Sequence, residues 1–576
     1  MAKKFFGKRI KRNEDPRLLT GKALFVDDVQ IPGMLHVAYY RSPYGHALIK
    51  NIDISKAQER PGVVAVYRAE DLGDYWKTGF LNVSPPPIED IVFHARLHPI
   101  LAKDKVRHVG ETIVCVVAES RYIAEDAVGD IVVDFEPLPA ITNLNQALEP
   151  DAARIHDDLD DNLAAHVVQQ DGDYEKIRAE ADVVIKRDFD YDRGTAAAME
   201  NRGIVANWDR RAGKLTVWDT TQAPVIIRNG LAGMLGLSEN QVRLVAPFIG
   251  GAFGPKILMF YPEEMLIPWI SMQLERPIKW IEDRSENFYA TTQERGQLHQ
   301  SEIALTKDGL ILGVKDVFLH DSGAYDPYGL TVPINSQCTL KGMYHIPNYY
   351  SDFKVVFTNK PIVSPYRGAG RQHGVYVMER LLDIAAKELG IDKTEIRRMN
   401  FIPPDKFPYK HGIIYQDFSE LTYDSGNYEP VLDKAIEMIG YEEFYKELKP
   451  KAQAEGKKLG LGLVCYVEGT GIGPYEGGRV QVQPSGRVSV ATGIGTQGQG
   501  HFTSFAQIVS EQLGVAVKNV DVVTGDTDQF HWGVGTFASR GAVVAGNAIH
   551  SAAVEVREKI LRMASEEFET AAENLV

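Results

Sequence analysis

Hydrophobic residues along this chain recur with two spacings, which predict short strands and amphipathic helices. Residues 63–67 and 112–117 are β-rich runs, and a helical pattern begins near Tyr122. These elements predict one compact α+β domain over residues 16–150.

The order strand, helix, returning strand then occurs twice. A threonine-glutamine pair follows the first strand each time, as Thr221-Gln222 and as Thr496-Gln497. The predicted elements are, in chain order, a strand at 213–218, a helix that ends near Gly236, a strand at 242–245, a strand at 486–490, a helix at 502–513 and a strand at 520–523. The repetition predicts a duplicated architecture around a shared cleft. Two unrelated units with the same common pattern are the alternative.

Polar stretches set the predicted limits of this duplicated unit. An acidic passage at 149–161 is typical of a linker, and a lysine-rich seam at 446–458 interrupts the hydrophobic pattern again. The predicted halves are therefore residues 160–445 and 457–576, and a strand-like run at 463–468 lies near the start of the second half.

Composition narrows the class of protein. The formal net charge of -15 over 576 residues argues against a nucleic-acid-binding surface. The three cysteines, Cys115, Cys338 and Cys465, have no metal-binding spacing, so we predict a reducing compartment, the cytoplasm. Residues 1–15 form a basic tail without a following apolar run, which predicts a solvated or subunit-contacting arm rather than a secretory signal.

An arginine- and glycine-rich loop precedes one predicted helix. Residues 365–371 read Pro-Tyr-Arg-Gly-Ala-Gly-Arg, and helical spacing continues from Gln372 until Gly390 stops it. A helix N-terminus, small residues and two guanidinium groups together favour a bound anion such as phosphate. A surface turn with two solvated arginines is the alternative.

Three further glycine-rich loops follow predicted strands, at residues 250–256, 498–500 and 533–541. Each is compatible with an ordinary tight turn. Together with Gln222, Gln499 and the two loop arginines, however, they predict a site for a large, polar, phosphorylated ligand. The glycines at 469–473 precede a turn rather than a helix, so they are not a dinucleotide fingerprint.

These loops resemble the molybdopterin loops of the xanthine oxidase family. The motifs are Gly-Gly-Ala-Phe-Gly at 250–254, Tyr-Arg-Gly-Ala-Gly-Arg at 366–371, Gly-Gln-Gly at 498–500 and Gly-Thr-Phe-Ala-Ser-Arg at 535–540. Residues 14–21, 41–43 and 136–140 are similar to the first domain of that family. The resemblance is strongest to molybdenum-binding large subunits of the carbon monoxide dehydrogenase and aldehyde oxidoreductase type. It implies a hammerhead-type N-terminal domain and a duplicated mixed α/β molybdopterin-binding domain whose second half is incomplete.

The resemblance also implies cofactor-binding residues. In this sequence they are Gln222, Gly250, Gly251, Phe253, Gly254, Arg367, Gly368, Arg371, Gly498, Gln499, Gly500, Ala538 and Ser539. Gln222, Phe253 and Gly254 would approach the molybdenum, and Arg367 would line the metal site by its backbone. Gln499, Ala538 and Ser539 would hold the pterin. The pterin dithiolene, in plain or cytosine dinucleotide form, would hold the metal, so no protein side chain is expected as a metal ligand.

Departures from the family pattern bear on the substrate. Gly368 stands where the carbon monoxide enzymes have a cysteine, so a copper-bridged site is not expected. Ile257 and Asn335 stand where purine-hydroxylating members have a glutamate and an arginine. The expected reaction is therefore hydroxylation of an aldehyde or of an aromatic or N-heterocyclic compound, with water as the oxygen source.

The family places its general-base glutamate beyond anything that corresponds to Val576. We therefore expect the base, and the remaining strands of the second half, to come from a separate chain, or the sequence to be a fragment. Glu468 and Glu476 are the nearest internal carboxylates, and we interpret both as loop or strand-end residues. Small [2Fe-2S] and medium FAD subunits are the expected partners. A cofactor-storing or purely structural subunit is the alternative.

Overall fold

The structure is a computed structural model that describes residues 5–77, 81–257 and 260–575. Among these residues, no helix has the length and apolar character needed to cross a membrane. The elements of the N-terminal region are α1 (Asp15–Leu19), β1 (Leu35–Arg41), β2 (Ala47–Asp53), α2 (Ser55–Glu59), β3 (Val63–Tyr67), β4 (Val92–Phe93), β5 (Lys105–Val106), β6 (Thr112–Ala118), α3 (Arg121–Val128) and β7 (Val132–Pro137).

Strand β6 is buried along its whole length, as expected for a continuous run of apolar residues in the middle of a sheet. It pairs with β1 and β3, while β2 pairs with β5 and β7 in a small separate sheet. The β1–β6–β3 group does not end at the predicted domain boundary near residue 150. Leu35 of β1 pairs in parallel with Ile278, so the sheet continues into the next region of the chain.

The middle region contains most of the secondary structure. Its elements are β8 (Leu163–Asp171), α4 (Tyr174–Glu180), β9 (Val183–Tyr191), β10 (Gly203–Asp209), β11 (Lys214–Asp219), α5 (Pro224–Leu235), β12 (Val242–Val245), α6 (Pro262–Leu274), β13 (Ile278–Ile281), α7 (Arg284–Ala290), β14 (Gln297–Leu305), β15 (Ile311–Gly323), α8 (Thr331–Thr339), β16 (Tyr349–Phe357), α9 (Arg371–Leu389), α10 (Lys393–Arg398), β17 (Tyr409–Ile414), β18 (Glu420–Tyr423), α11 (Glu429–Ile439) and α12 (Tyr441–Glu443).

Two sheets organise this region. One has the order β12-β11-β10-β13-β1-β6-β3, and the other has the order β4-β8-β16-β15-β14-β9. The largest buried cluster lies between the second sheet and helices α8 and α9, and includes Phe353 and Leu381. Helix α9 is the helix predicted after the arginine loop, and Gly390 caps it with a φ of 69°.

The last region repeats part of the middle one. Its elements are α13 (Lys449–Ala454), β19 (Gly478–Val482), β20 (Val488–Thr492), α14 (His501–Leu513), β21 (Val520–Thr524) and α15 (Gly546–Glu567). Strands β19 and β20 are antiparallel, and β20 and β21 are parallel with α14 between them. Strands β10, β11 and β12 with α5 have the same arrangement. The predicted duplication is therefore confirmed as two units, which we call the first unit (β10–β12 with α5) and the second unit (β19–β21 with α14).

The returning strands of the two units end against each other. Val245 and Asp526 form an antiparallel bridge, and the N–H of Ala246 donates to the carbonyl of Gly525 at 2.7 Å. Arg243 forms an ion pair with Asp526 at 2.7 Å. Because a glycine-rich loop follows each of these strands, the contact brings the two loops to the same place.

Three less regular segments have structure that the sequence pattern did not indicate, and in the second of them the predicted strand was wrong. The seam at 446–458 is helical as far as Ala454, because α12, a π-helical turn at Phe444–Leu448 and α13 follow one another. The predicted strand at 463–468 has no ladder partner among the described residues. The acidic passage at 149–161 is not simply solvated, since Ile155 within it is fully buried.

The described part of the basic tail contacts the chain itself, although most of its side chains are exposed. Its described residues lie along α14 of the second unit, where the Asn13 N–H donates to Thr503 Oγ1 at 2.7 Å. The carboxyl of Glu14 is 3% exposed and accepts from the same hydroxyl. The tail therefore makes an intramolecular contact that spans nearly 500 residues of sequence.

Candidate functional site

A cavity of about 770 Å³ lies where the first unit, the second unit and the arginine loop meet. Nine of the predicted cofactor-binding residues line it, namely Gln222, Phe253, Gly254, Arg367, Gly368, Arg371, Gln499, Ala538 and Ser539. These residues come from five separate segments of the sequence. The fold thus brings the predicted loops together around one cavity.

The other four predicted residues lie behind the lining. Gly250 donates its N–H to Glu200 Oε2 at 2.6 Å, and the carbonyl of Gly251 accepts from Lys256 Nζ at 2.9 Å. The carbonyl of Gly498 faces the N-terminal tail, and Gly500 precedes the first residue of α14. These glycines shape the loops without contributing to the cavity surface.

The side chain of Gln222 connects the loops of the two units. Its Oε1 accepts from the N–H of Gly254 at 2.9 Å, and its Nε2 donates to the carbonyl of Thr536 at 2.8 Å. Its backbone carbonyl accepts from the N–H of Thr536 at 2.9 Å. A carboxamide supplies one acceptor and two donors, so one N–H of Gln222 remains for a ligand.

The loop after β12 requires a glycine at residue 254. Gly254 has a φ of 125°, and a Cβ there would lie 1.9 Å from the carbonyl oxygen of Pro365. The preceding carbonyl, that of Phe253, accepts from the N–H of Arg367 at 2.8 Å. The loop of the first unit and the arginine loop are therefore in direct backbone contact, and no side chain fits between them.

A buried acid and its neighbour hold the arginine loop from behind. Glu294 is fully buried and accepts from the N–H of Gly370 at 3.1 Å. Arg295 donates to the carbonyl of Arg367 at 3.0 Å. The expectation that the N-terminus of α9 is open to an anion is thus wrong in part, because a protein carboxylate already contacts it.

Arg371 provides positive charge at the cavity. Its side chain is 5% exposed and donates to the hydroxyl of Tyr415 at 2.7 Å. Among the described residues, neither Arg371 nor Arg367 forms an ion pair with a carboxylate. These two guanidinium groups therefore remain available to an anionic ligand.

Four cavity-lining residues have left-handed backbone conformations without being glycine. Phe253 has a φ of 60°, Ala369 of 49°, Ala538 of 45° and Ser539 of 53°. No backbone carbonyl of the described chain accepts from the N–H of Ala538 or Ser539. Left-handed turns of this kind turn successive N–H groups toward one point, which makes an anion-binding concavity.

Glu476 holds the loop of the second unit. Its Oε1 accepts from the N–H groups of Val534 and Gly535 at 3.0 and 3.1 Å and lies 3.2 Å from Arg540 Nη1. Burial raises the pKa of Glu476 above its ordinary value, although these donors act in the opposite direction. Glu476 is committed to the loop, whereas Glu468 lines the cavity directly.

Unpartnered polar atoms test whether the cavity fits a phosphorylated pterin. Arg540 Nε and His501 Nδ1 are buried at the cavity and have no hydrogen-bond partner in the described structure. Burial lowers the pKa of His501 to about 4, so its imidazole is neutral near pH 7. Amide, guanidinium, imidazole and peptide N–H groups are the donors that such a ligand needs, so the residues fit the group.

Beneath the first loop lies a buried lysine. Lys256 Nζ donates to the carbonyl oxygens of Glu200 and Gly251 at 2.8 and 2.9 Å. Burial lowers the pKa of Lys256 to about 8.

The described residues contain no cluster of three or more histidine, cysteine, aspartate or glutamate side chains that is arranged to hold a metal ion.

Sequence reasoning missed several lining residues, namely Gln416, Tyr466, Gln497, His501, Thr536, Phe537 and Arg540. Gln497 had a usable signal, because its Thr-Gln pair occupies the position of Thr221-Gln222 in the repeat. The Nε2 of Gln499 donates a hydrogen bond to the Oε1 of Gln497 at 2.6 Å. The ring of Trp532, next to the 533–541 loop, stacks on that of Tyr475 with 5.4 Å between the ring centroids.

Comparison with known families agrees with this architecture. Residues 20–139 match the a/b hammerhead domain of aldehyde oxidase and xanthine dehydrogenase. Residues 155–401 and 434–576 match two molybdopterin cofactor-binding domains. The two matches cover the first and second units and the loops around the cavity.

Individual relatives cover nearly the whole chain. It is 36% identical to the 6-hydroxypseudooxynicotine dehydrogenase complex subunit gamma of Paenarthrobacter nicotinovorans, over 99% of this chain and 71% of that protein. It is 35% identical to the carbon monoxide dehydrogenase large chain of Afipia carboxidovorans, over 97% of this chain and 71% of that protein. The crystal structure of quinoline 2-oxidoreductase from Pseudomonas putida 86 superposes with a TM-score of 0.93 at 35% identity, covering 100% of this chain and 73% of that chain. The chain therefore belongs to the xanthine oxidase family of molybdenum-dependent oxidoreductases, as one of its molybdenum-binding large subunits.

Proposed function

We propose that the cavity between the two units holds a molybdopterin cofactor and that the chain hydroxylates an aromatic N-heterocycle or an aldehyde there, with water as the oxygen source. The observation that carries the proposal is the double hydrogen bond of Gln222 to Gly254 and Thr536, which unites both loops at one ligand-sized cavity. The alternatives, cofactor storage without turnover and a purely structural subunit, have no such observation in their favour.

The bound cofactor would supply the redox chemistry and the activated oxygen, and the protein would supply orientation and electrostatics. The remaining N–H of Gln222 would donate to the reactive end of the ligand. Arg367 and Arg371 would attract its phosphate, and the N–H groups of Ala538 and Ser539 would donate to its polar edge.

Part of the cavity wall is apolar. Ile257 and Tyr328 are almost completely buried and line the cavity together with Phe537. An apolar wall next to the charged side of the cavity suits a flat aromatic substrate that reacts at one ring carbon.

The choice of substrate class rests on substitutions within the lining. Gly368 supplies no thiolate for a copper ion, which disfavours carbon monoxide. Ile257 supplies no carboxylate for a purine, and Asn335 is fully buried and bonds the carbonyl of Ala369 at 2.8 Å. Relatives named for nicotine and quinoline support an N-heterocycle.

The general base is proposed to lie outside the described lining. Glu468 is the one carboxylate among the described lining residues, and it lies at the exposed edge of the cavity beside Tyr466. Glu476 already accepts from two loop N–H groups. We therefore assign the general base to a residue that is not among the described lining residues.

Further partners and conditions follow from the family. A [2Fe-2S] small subunit and an FAD medium subunit are proposed as electron carriers, since relatives are named as the large or gamma subunits of complexes. The cytosine dinucleotide form of the pterin is proposed for the cofactor. All three cysteines are free thiols, which supports a reducing compartment such as the cytoplasm.

The test is to purify the native complex and to measure molybdenum by elemental analysis and substrate-dependent dye reduction with a panel of N-heterocycles and aldehydes. Metal together with dye reduction supports the proposal. Metal without reduction by any member of the panel, in a complex that retains all its subunits, supports storage. A complex without molybdenum supports a structural subunit.

A further inference from the structure

The described N-terminal segment, residues 5–25, packs against the second unit rather than against its sequence neighbours. Gln507 of α14 donates through Nε2 to the carbonyls of Phe5 and Lys8, both at 3.0 Å. The Phe6 N–H donates to Glu511 Oε2 at 3.1 Å. Backbone groups of the segment are thus bound along one side of α14.

The middle of this segment reaches the turn at Gly498-Gln499-Gly500, which lies on the edge of the cavity. Arg12 Nη1 donates to the carbonyl of Gly498 at 3.1 Å. At Gly500, a Cβ would lie 3.6 Å from both Arg12 Cδ and Glu14 Oε1. These two side chains therefore cover the turn from the side opposite to the cavity.

The turn has little other support on that side. Gly498 is exposed, has a φ of 98° and would have no heavy atom within 4 Å of a Cβ. A glycine in such surroundings leaves the backbone free to take several conformations. A charge-assisted bond from Arg12 removes part of that freedom.

The end of the segment joins the two units. The guanidinium of Arg17 lies 4.9 Å from the ring centroid of Phe248 and 4.8 Å from that of Phe502. Phe248 lies just before the 250–256 loop, separated from it by Ile249, and Phe502 is in the first turn of α14. The two ring centroids are 5.3 Å apart, so the guanidinium of Arg17 contacts both the segment before the 250–256 loop and the first turn of α14.

We propose that residues 5–25 form a clasp that holds the 250–256 loop and the 498–500 turn at the separation required by the cofactor. Arg12 is the positioning residue for Gln499. This inference rests on the proposed function, because it assumes that the cofactor occupies the cavity. The clasp slows release of the cofactor by keeping Gln499 against it.

The experiment compares Arg12→Ala with Arg9→Ala in the complete, cofactor-loaded complex. Both variants remove an arginine from the same segment, but Arg9 is exposed and has no described contact with the turn. The release rate is measured from the fluorescence of the oxidised pterin that appears in solution. Hydrogen exchange of residues 496–500 and the unfolding temperature are measured in parallel.

We expect release to be about tenfold faster in Arg12→Ala, the factor that corresponds to one lost charge-assisted hydrogen bond. Exchange at 496–500 should rise while the unfolding temperature stays at the wild-type value. Arg9→Ala should behave as wild type, and Arg12→Lys, which keeps a cationic donor, should restore slow release.

Two results would overturn the clasp. One is wild-type release and wild-type exchange at 496–500 in Arg12→Ala; the other is equal effects of Arg12→Ala and Arg9→Ala. If Arg12→Ala loads too little cofactor for a release measurement, the exchange of the cofactor-free chain decides in the same way. A wild-type complex that never contains molybdopterin would instead overturn the proposed function, and the clasp with it.

Discussion

Gln222 accepts a hydrogen bond from the N–H of Gly254 at 2.9 Å although 31 residues separate them, and the same carboxamide donates to Thr536 across the duplicated fold. Each unit thus contributes one loop, and a single side chain sets the distance between the loops. Because Gln222 is 4% exposed, this bridge forms part of the cavity floor rather than its solvated edge.

Replacement of this carboxamide should weaken the fold as well as the site. In Gln222→Ala the N–H of Gly254 and the carbonyl of Thr536 lose their partner, which costs about 1–3 kcal/mol of unfolding free energy. Denaturant unfolding of the cofactor-free chain measures it. Gln529→Ala, which shortens an exposed glutamine, is the control and should change stability by less than about 0.5 kcal/mol. Equal stability of the two variants would contradict the bridge.

Glu476 should be needed for the loop rather than for proton transfer. Glu476→Gln leaves Arg540 without its anionic partner and one loop N–H with a weaker acceptor, so we expect a loss of about 3–5 kcal/mol in unfolding free energy. The molybdenum content of the purified complex should fall with it. A variant that keeps full stability and molybdenum content but loses turnover would assign Glu476 to the chemistry instead.

Glu468 should be dispensable for proton transfer. A general base contributes about 10²- to 10⁴-fold to a rate, so its loss is easily measured. For Glu468→Gln in the complete complex we expect kcat within about threefold of wild type, well below the contribution of a base. A decrease of a hundredfold or more with unchanged molybdenum content would identify Glu468 as the base and would remove the need for a base from outside the described lining.

The lowered pKa of Lys256 predicts how the unfolding free energy changes at alkaline pH. Its pKa is lowered from 10.5 to about 8 in the folded chain, so between these pH values the unfolded chain binds more protons than the folded one. The unfolding free energy therefore rises with pH across this window. This gain is lost again as the pH falls back to about 8. Relative to Lys256→Met, the wild type should gain about 3 kcal/mol between the two limits. A difference between the two proteins that does not change with pH would contradict the shift.

The sequence predicts best where local pattern and local structure agree. The strand at 242–245 and the helix ends at Gly236 and Gly390 are observed at the predicted places. Their signals lie within a few residues, since apolar periodicity and left-handed glycine caps are local properties.

Long-range contacts were not predictable from these signals. The pairing of Leu35 with Ile278 extends a sheet across a predicted boundary, and Asn13 contacts a helix that lies 490 residues further on. The same limit applies to the site. His501 and Arg540 line the cavity because two distant units meet there, whereas Gln222 and the glycine loops were found through repeated or family-like motifs.

The most direct test of the proposed cofactor site is an anomalous difference map at the molybdenum absorption edge from crystals of the native complex. We expect one strong peak per chain inside the cavity, adjacent to the free N–H of Gln222 and beside the Phe253-Gly254 backbone. No peak at full cofactor loading, or a peak outside the cavity lined by Gln222 and Arg371, would contradict it.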